Sequence, residues 1–364
     1  MAIIDAYFKK MKDRGGSDLH MTIGFPPLIR FRGELVPLDE PVLTPDSNRR
    51  ILTEIMPSDK LAHLDENLDC DMAYALEGVG RFRCNFFFQN RGIAAVFRII
   101  PTEIMTLEQL NLPPVIRTIA EFRKGLVLVT GPTGSGKSTT LAAIIDYINN
   151  TRNAHIITIE DPLEFVHPNK QCLFTQREIG THARSFADAL RVASRENPDV
   201  ILVGEMRDLE TISLALTCVE LGILVFGTLH TNSAAKTIDR IINAFPSDQQ
   251  AQTRTMLADA LSAVVAQQLL KTSDGKGRCA ANEVLLGSPA LASIIRDGKI
   301  SQISSIIQTG SARGMQTMDQ HLTLLVRDKR ITREAAYEKA IDKKLFASSE
   351  ENHGYLTREN ARNA

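Results

Sequence analysis

Tryptophan is missing from all 364 residues, and aromatic side chains make up only 5% of them. Proteins that hold single-stranded nucleic acid stack its bases on such rings, so the scarcity argues against that class. An excess of either charge is missing too: 42 lysines and arginines oppose 43 aspartates and glutamates, a formal net charge of −1. No broad basic field exists to hold nucleic acid nonspecifically, although a local groove would not show in the total. Cysteine is sparse. Cys70, Cys84, Cys172, Cys218 and Cys279 are odd in number, scattered, and never form a C-x-x-C pair. They read as reduced residues, with neither a disulfide framework nor a zinc site. The longest strongly apolar stretch, Leu221 to Leu229, is far too short to cross a bilayer. Met1-Ala2-Ile3-Ile4-Asp5 runs straight into a charged amphipathic segment, so no export signal is expected. The expectation is a soluble, cytoplasmic chain that meets a membrane only through partners.

What is present is more specific. Gly131-Pro132-Thr133-Gly134-Ser135-Gly136-Lys137-Ser138-Thr139 fills every fixed position of the phosphate-loop pattern G-x-x-x-x-G-K-[ST]. Before it, Gly125-Leu126-Val127-Leu128-Val129-Thr130 has the length and branching of a buried parallel strand. After it, Thr140-Leu141-Ala142-Ala143-Ile144-Ile145 opens a helical pattern. The glycines let backbone N–H groups turn inward around phosphates, and the helix start adds partial positive charge. Lys137 can reach the β- and γ-phosphates, and the Ser138 hydroxyl can ligate Mg²⁺. A strand and a helix in the right places make a chance glycine turn a poor explanation. The motif predicts ATP or ADP bound at residues 131–139.

The chain is long enough for two or three domains. Residues 1–100 read as a small α+β unit. A helix is expected from Ile3 to Lys12, then strands at Ser17–Ile23 and around Leu28–Arg32. Two more are expected at Gly80–Gln89 and Ile93–Ile100, joined by the turn Asn90-Arg91-Gly92. Pro101 to Pro114 carries three prolines and no sustained periodicity, which places a hinge at 101–115. From 116 to 286 apolar strands alternate with helical patterns, the signature of an α/β domain with a parallel sheet covered on both faces. Strands are expected at Leu126–Thr130, His155–Ile159, Val200–Val203 and Ile223–Thr228. Ser185 and Asp208 are expected to cap helices, and Gln250 to Leu270 reads as one long helix whose face carries Leu257, Leu261, Val264 and Leu269. A helical region follows at 287–346. The polar tail, 347–364, is expected to be mobile.

Three further segments end apolar strands in polar side chains, where open α/β sheets hold their ligands. The first is Ile159-Glu160-Asp161-Pro162-Leu163-Glu164, which alone reads equally well as a solvated acidic turn. In the second, Val200-Ile201-Leu202-Val203 precedes Gly204-Glu205, so Glu205 is the carboxylate placed to hold Mg²⁺, directly or through water, or to orient a water molecule. In the third, Thr228-Leu229-His230 ends a strand in a histidine suited to sensing the γ-phosphate. Gly80-Arg81-Phe82-Arg83-Cys84-Asn85-Phe86 alternates so that Arg81 and Arg83 share one face. That face is either the wet side of a half-buried strand or a supply of cations to a triphosphate.

Together these segments resemble the secretion-type ATPases of type IV pili, in particular their retraction branch. The matches run from Gly15-Gly16-Ser17-Asp18-Leu19-His20 through Gly80-Arg81-Phe82-Arg83 and the phosphate loop. They continue with Glu160-Asp161-Pro162-Leu163-Glu164 (the family's Asp box), Gly204-Glu205-Met206-Arg207-Asp208 and Thr228-Leu229-His230-Thr231-Asn232 (its His box). Val265-Ala266-Gln267-Gln268-Leu269 and Gly314-Met315-Gln316-Thr317-Met318-Asp319 complete the set. The resemblance implies a PAS-like N-terminal domain, a RecA-like P-loop ATPase domain and a ring of six copies driven by ATP. It implies that Arg81 and Arg83 approach the triphosphate, that Glu160 and Glu164 act with Glu205 on water and Mg²⁺, and that His230 senses phosphate. The implied partner is the pilus platform protein of the inner membrane. The family's extension motors usually carry a long N-terminal region and a four-cysteine insert, and neither is found here. A family segment written Ala-Ile-Arg-x-Leu-Ile-Arg-x-Gly-Lys holds Ala292 at its first arginine position, which leaves room for an accessory, paralogous motor. Two other classes compete. A nucleotide-binding adaptor would lack acids such as Glu160, Glu164 and Glu205, and a nucleic-acid translocase would need the basic, aromatic surface that the composition lacks.

Overall fold

The structure, a computed structural model, describes residues 2–31, 33–100 and 103–347. Pro101 and Thr102 of the expected hinge, and 348–364 of the expected mobile tail, lie outside the described residues. Two compact units are present, the first reaching Glu103 and including Glu164–Val166, the second comprising Ile104–Leu163 and His167 onward.

In the first unit, α1 (Ile3–Asp13) precedes β1 (Asp18–Met21), β2 (Leu28–Phe31) and β3 (Glu34–Pro37). Helices α2 (Pro45–Thr53) and α3 (Ser58–Asn67) lead to β4 (Asp69–Leu76), β5 (Gly80–Gln89) and β6 (Gly92–Ile100). The strands form one antiparallel sheet in the order β3-β2-β1-β6-β5-β4. The apolar residues of α1 recur at helical spacing and cover this sheet. Phe8 stacks on Phe82 with centroids 3.9 Å apart, and Phe97 meets Phe8 edge-on at 5.2 Å. Each such ring, fully buried, contributes roughly 1.5–3 kcal/mol. The expected alternation along β5 is present: Phe82, Cys84 and Phe86 are buried while Arg83 is exposed.

The second unit holds α4 (Val115–Ala120), β7 (Gly125–Thr130), α5 (Lys137–Thr151), β8 (His155–Glu160), β9 (Leu173–Glu178) and α6 (Phe186–Ala193). It continues through β10 (Val200–Val203), α7 (Leu209–Glu220), β11 (Leu224–Leu229), α8 (Ala234–Ile242) and α9 (Gln250–Ala260). The remainder is β12 (Leu261–Lys271), β13 (Arg278–Leu286), α10 (Pro289–Arg296), α11 (Ile303–Thr309), α12 (Met318–Arg327) and α13 (Arg333–Lys339). Its sheet runs β13-β12-β7-β11-β10-β8-β9, with every pairing parallel except β12 with β13. This is the α/β, RecA-like class expected. β7, β10 and β11 are buried at every position, as strands covered on both faces must be. The caps read from sequence form: the Ser185 and Asp208 side chains accept hydrogen bonds from the backbone N–H groups of Asp188 and Thr211.

One expectation is corrected. The helix read over Gln250–Leu270 stops at Ala260, and Leu261–Lys271 is strand β12. Leu257, Leu261 and Val264 do fall at helical spacing. The sheet has an open place beside β7, however, and a strand flanked on both sides buries a continuous apolar run, here Ala263 to Ala266. Branched Val264 and Val265 suit it. β12 and β13 extend past the sheet to a separate small core, where Leu270, Cys279 and Ala281 pack with Met318, Leu322 and Leu325 of α12.

Candidate nucleotide site

The loop after β7 crosses to α5 through backbone that only glycine adopts easily. Gly131 has φ +149° and Gly136, which caps α5, has φ +85°. A Cβ on Gly131 would lie 2.2 Å from the Gln267 carbonyl oxygen, so a side chain there would force the loop off β12. Lys137 Nζ donates to the carbonyl oxygens of Gly131 (2.7 Å) and Pro132 (3.2 Å), spanning the loop from its far end. Burial lowers the Lys137 pKa, and the nearby Glu205 carboxylate opposes that shift. Pro132, Thr133, Gly134 and Ser138 are exposed, whereas Ser135 is buried.

Three polar strand ends sit beside this loop on the same sheet. Glu160 closes β8 and is buried. Gly204 follows β10, and its N–H donates to the Ile159 carbonyl at 2.7 Å. A Cβ there would come within 3.1 Å of the Glu160 Cα, so glycine brings the Glu160 and Glu205 segments together. His230 follows β11. The Thr228 hydroxyl donates to the Gly204 carbonyl, and Met206 N–H donates to the Thr228 carbonyl at 3.0 Å. These bonds lace the ends of β8, β10 and β11 into one surface.

Glu205 is the centre of that surface. Its Oε1 lies 2.6 Å from Arg207 Nε and 3.1 Å from His230 Nε2. Burial pushes its pKa up, but the hydrogen bond and charge of Arg207, with the nearby His230, outweigh this and bring it below the usual value. The carboxylate is therefore ionised at neutral pH. Such a weak base is better suited to orienting water or a cation than to removing a proton outright. The loop carrying His230 is held in turn. Thr231 and Thr237 hydroxyls lie 2.7 Å apart, and Thr237 donates to Thr130 Oγ1, at the end of β7, at 3.4 Å.

Among the predicted site residues, then, the phosphate loop, Glu160, Glu205 and His230 all lie at the carboxyl ends of the interior parallel strands β7, β8, β10 and β11. Glu164 is exposed and groups with the first unit, as do Arg81 and Arg83 on β5, with Arg83 on the exposed face. The Ser138 hydroxyl, in the first turn of α5, and the Glu205 carboxylate offer oxygen donors alone. That suits Mg²⁺, which takes few protein ligands and keeps several waters. Composition and spacing did not single out Gln267 or Arg207. Arg207 lies two residues from Glu205, a distance at which charge pairing was readable.

Comparison with known proteins gives the family of the chain. The chain is 51% identical over 327 residues to a Pseudomonas aeruginosa protein described as the type IV pilus retractation ATPase PilT, covering 90% of this chain and 95% of that one. It is 53% identical over 314 residues to a twitching motility protein of Neisseria gonorrhoeae, covering 86% and 84% of the two chains. A crystal structure of the pilus retraction motor PilT with bound ADP superposes with a TM-score of 0.89 at 45% identity, covering 94% of this chain and 98% of that one. The family of type II/IV secretion system proteins matches residues 3–353. The chain belongs to that family.

Proposed function

We propose that this chain is a type IV pilus retraction ATPase, a motor whose ATP hydrolysis drives pilin disassembly and twitching motility. One observation carries it: the phosphate loop, Glu160, Glu205 and His230 lie at the carboxyl ends of neighbouring parallel strands, with Glu205 Oε1 3.1 Å from His230 Nε2. The likeness to PilT along nearly the whole chain gives that site its task.

The reaction is in-line attack of water on the γ-phosphate, in which positioning and charge stabilisation dominate. Residues 131–139 hold the phosphates, and Lys137 lies across the β and γ positions. Ser138 and Glu205, the latter directly or through water, would hold Mg²⁺, which when bound would neutralise charge on the phosphate oxygens. Glu205 and Glu160 orient the attacking water, aided by Glu164, and His230 reads the phosphate through the Glu205 carboxylate. Arg81 and Arg83 supply positive charge as the transition state forms. Six copies make a ring, and closure about the 101–115 hinge turns one domain against the other. The ring works at the cytoplasmic face of the inner membrane against a PilC-like platform protein, and it binds no nucleic acid. Ala292 favours a second reading, an accessory PilU-like motor beside a main one.

Deleting the gene tests this. Cells are expected to carry more surface pili that no longer retract. Unchanged piliation with normal twitching would refute the assignment as main motor, and loss of retraction only when a paralogue is weakened would favour the accessory role.

A further inference from the structure

Gln267 occupies a place in β12 that exposes 1% of its surface, yet both halves of its amide are used. Nε2 donates to the Ser135 carbonyl at 2.7 Å, in the middle of the phosphate loop. Oε1 accepts from Thr140 Oγ1 at 2.8 Å, in the first turn of α5, and from Asn282 Nδ2 at 3.0 Å. Its backbone carbonyl closes on Gly131, and Nε2 lies 3.0 Å from where a Gly136 Cβ would sit. One buried residue thus touches the loop at its start through its backbone, and at its middle and end through its side chain. The amide is closed off from solvent, so it cannot meet a phosphate itself.

The bonds continue away from the site. Asn282, on β13, is wholly buried. Its backbone N–H donates to His321 Nδ1 at 2.9 Å, and its carbonyl accepts from Gln316 Nε2 at 2.9 Å. His321 belongs to α12, and Gln316 precedes Thr317, the residue that caps that helix. Burial keeps His321 neutral, with a pKa lowered to about 4, and the Asn282 N–H aimed at Nδ1 makes that nitrogen the accepting one, with the ring proton on Nε2. A hydrogen-bonded path therefore runs from the helical C-terminal region through β13 and β12 to the phosphate loop.

We infer that Gln267 is a positioning residue for the phosphate loop, and that α12 sets its amide through His321 and Asn282. Inward-pointing N–H groups require the loop carbonyls to be tied outward, and the Ser135 carbonyl is tied by Gln267. Asn282 fixes which way the amide faces, because its Nδ2 needs an acceptor and finds Oε1. The inference rests on nucleotide binding at 131–139, the first part of the proposed function, and not on retraction.

The test measures ADP affinity by calorimetry alongside KM and kcat for ATP, in the full chain. Gln267→Glu keeps shape but sets an oxygen against the Ser135 carbonyl. It is expected to weaken ADP binding and raise KM about tenfold or more, with kcat changed far less. His321→Leu removes the acceptor for Asn282 and is expected to weaken ADP severalfold. His321→Asn, whose amide oxygen can replace Nδ1, is expected to recover most of the loss. Unaltered ADP affinity in Gln267→Glu overturns the role of Gln267. Equal affinities in the two His321 variants overturn the path from α12, and this pair carries the test if Gln267→Glu fails to fold. Failure of the wild-type chain to bind ADP at all would count against the nucleotide site itself, a result distinct from either.

Discussion

Glu205 is held by two neighbours, Arg207 and His230, both with exposed side chains. Arg207 grips it from solvent, while the loop that carries His230 is tied through Thr231 and Thr237 to the end of β7. An ionised carboxylate in that position orients water by accepting its hydrogen bonds. Glu205→Gln keeps the shape but loses the charge, so ADP should still bind while turnover falls by about 10²-fold or more. Lys137→Ala should differ, losing affinity as well as turnover, because Nζ spans the loop that holds the phosphates. Nucleotide binding and steady-state ATPase assays on the two variants check the distinction. Wild-type turnover in Glu205→Gln would remove that residue from the reaction.

Strand order decides how much of this was readable in advance. The loop, Glu160, Glu205 and His230 each follow an apolar strand, so the pattern of buried run then polar residue located them individually. That Glu205 meets His230 depends on β10 lying beside β11, a matter of pairing that periodicity does not carry. The resemblance includes Gln267, but its contact with the loop was not readable: it sits in a run whose apolar spacing fits a helix, and only the open place beside β7 makes that run a strand. The same burial that closes these elements has a pH consequence. His167, stacked on Phe174 at 4.7 Å, and His321 on α12 both have pKa values lowered to about 4, chiefly by burial. Their ordinary value is 6.5, so unfolding takes up protons between the two values. Stability contributed by the neutral rings is complete above pH 6.5 and is lost as pH falls towards 4, by roughly 3 kcal/mol per ring. Denaturant unfolding across that range should show the loss, and it should shrink in His321→Asn.

At the scale of the whole molecule we propose that Arg81 and Arg83 of β5 take part in hydrolysis. If Arg81 and Arg83 act at the triphosphate, Arg81→Ala and Arg83→Ala should bind ADP normally and hydrolyse ATP poorly. An arginine supplied from a neighbouring subunit is worth roughly 10³–10⁵ in rate in other phosphoryl-transfer enzymes. Mixing either variant with Glu205→Gln should then restore part of the activity, since some subunit pairs would carry both intact groups. Absence of recovery in mixed rings would place the arginines within their own subunit or outside the reaction.

We propose that hydrolysis organised by Glu205 powers retraction. The most direct test is to image single pili on cells whose only copy of this chain carries Glu205→Gln. Filaments that form and extend but do not retract are the predicted result. Retraction at the wild-type rate, by a variant that hydrolyses no ATP when purified, would contradict it.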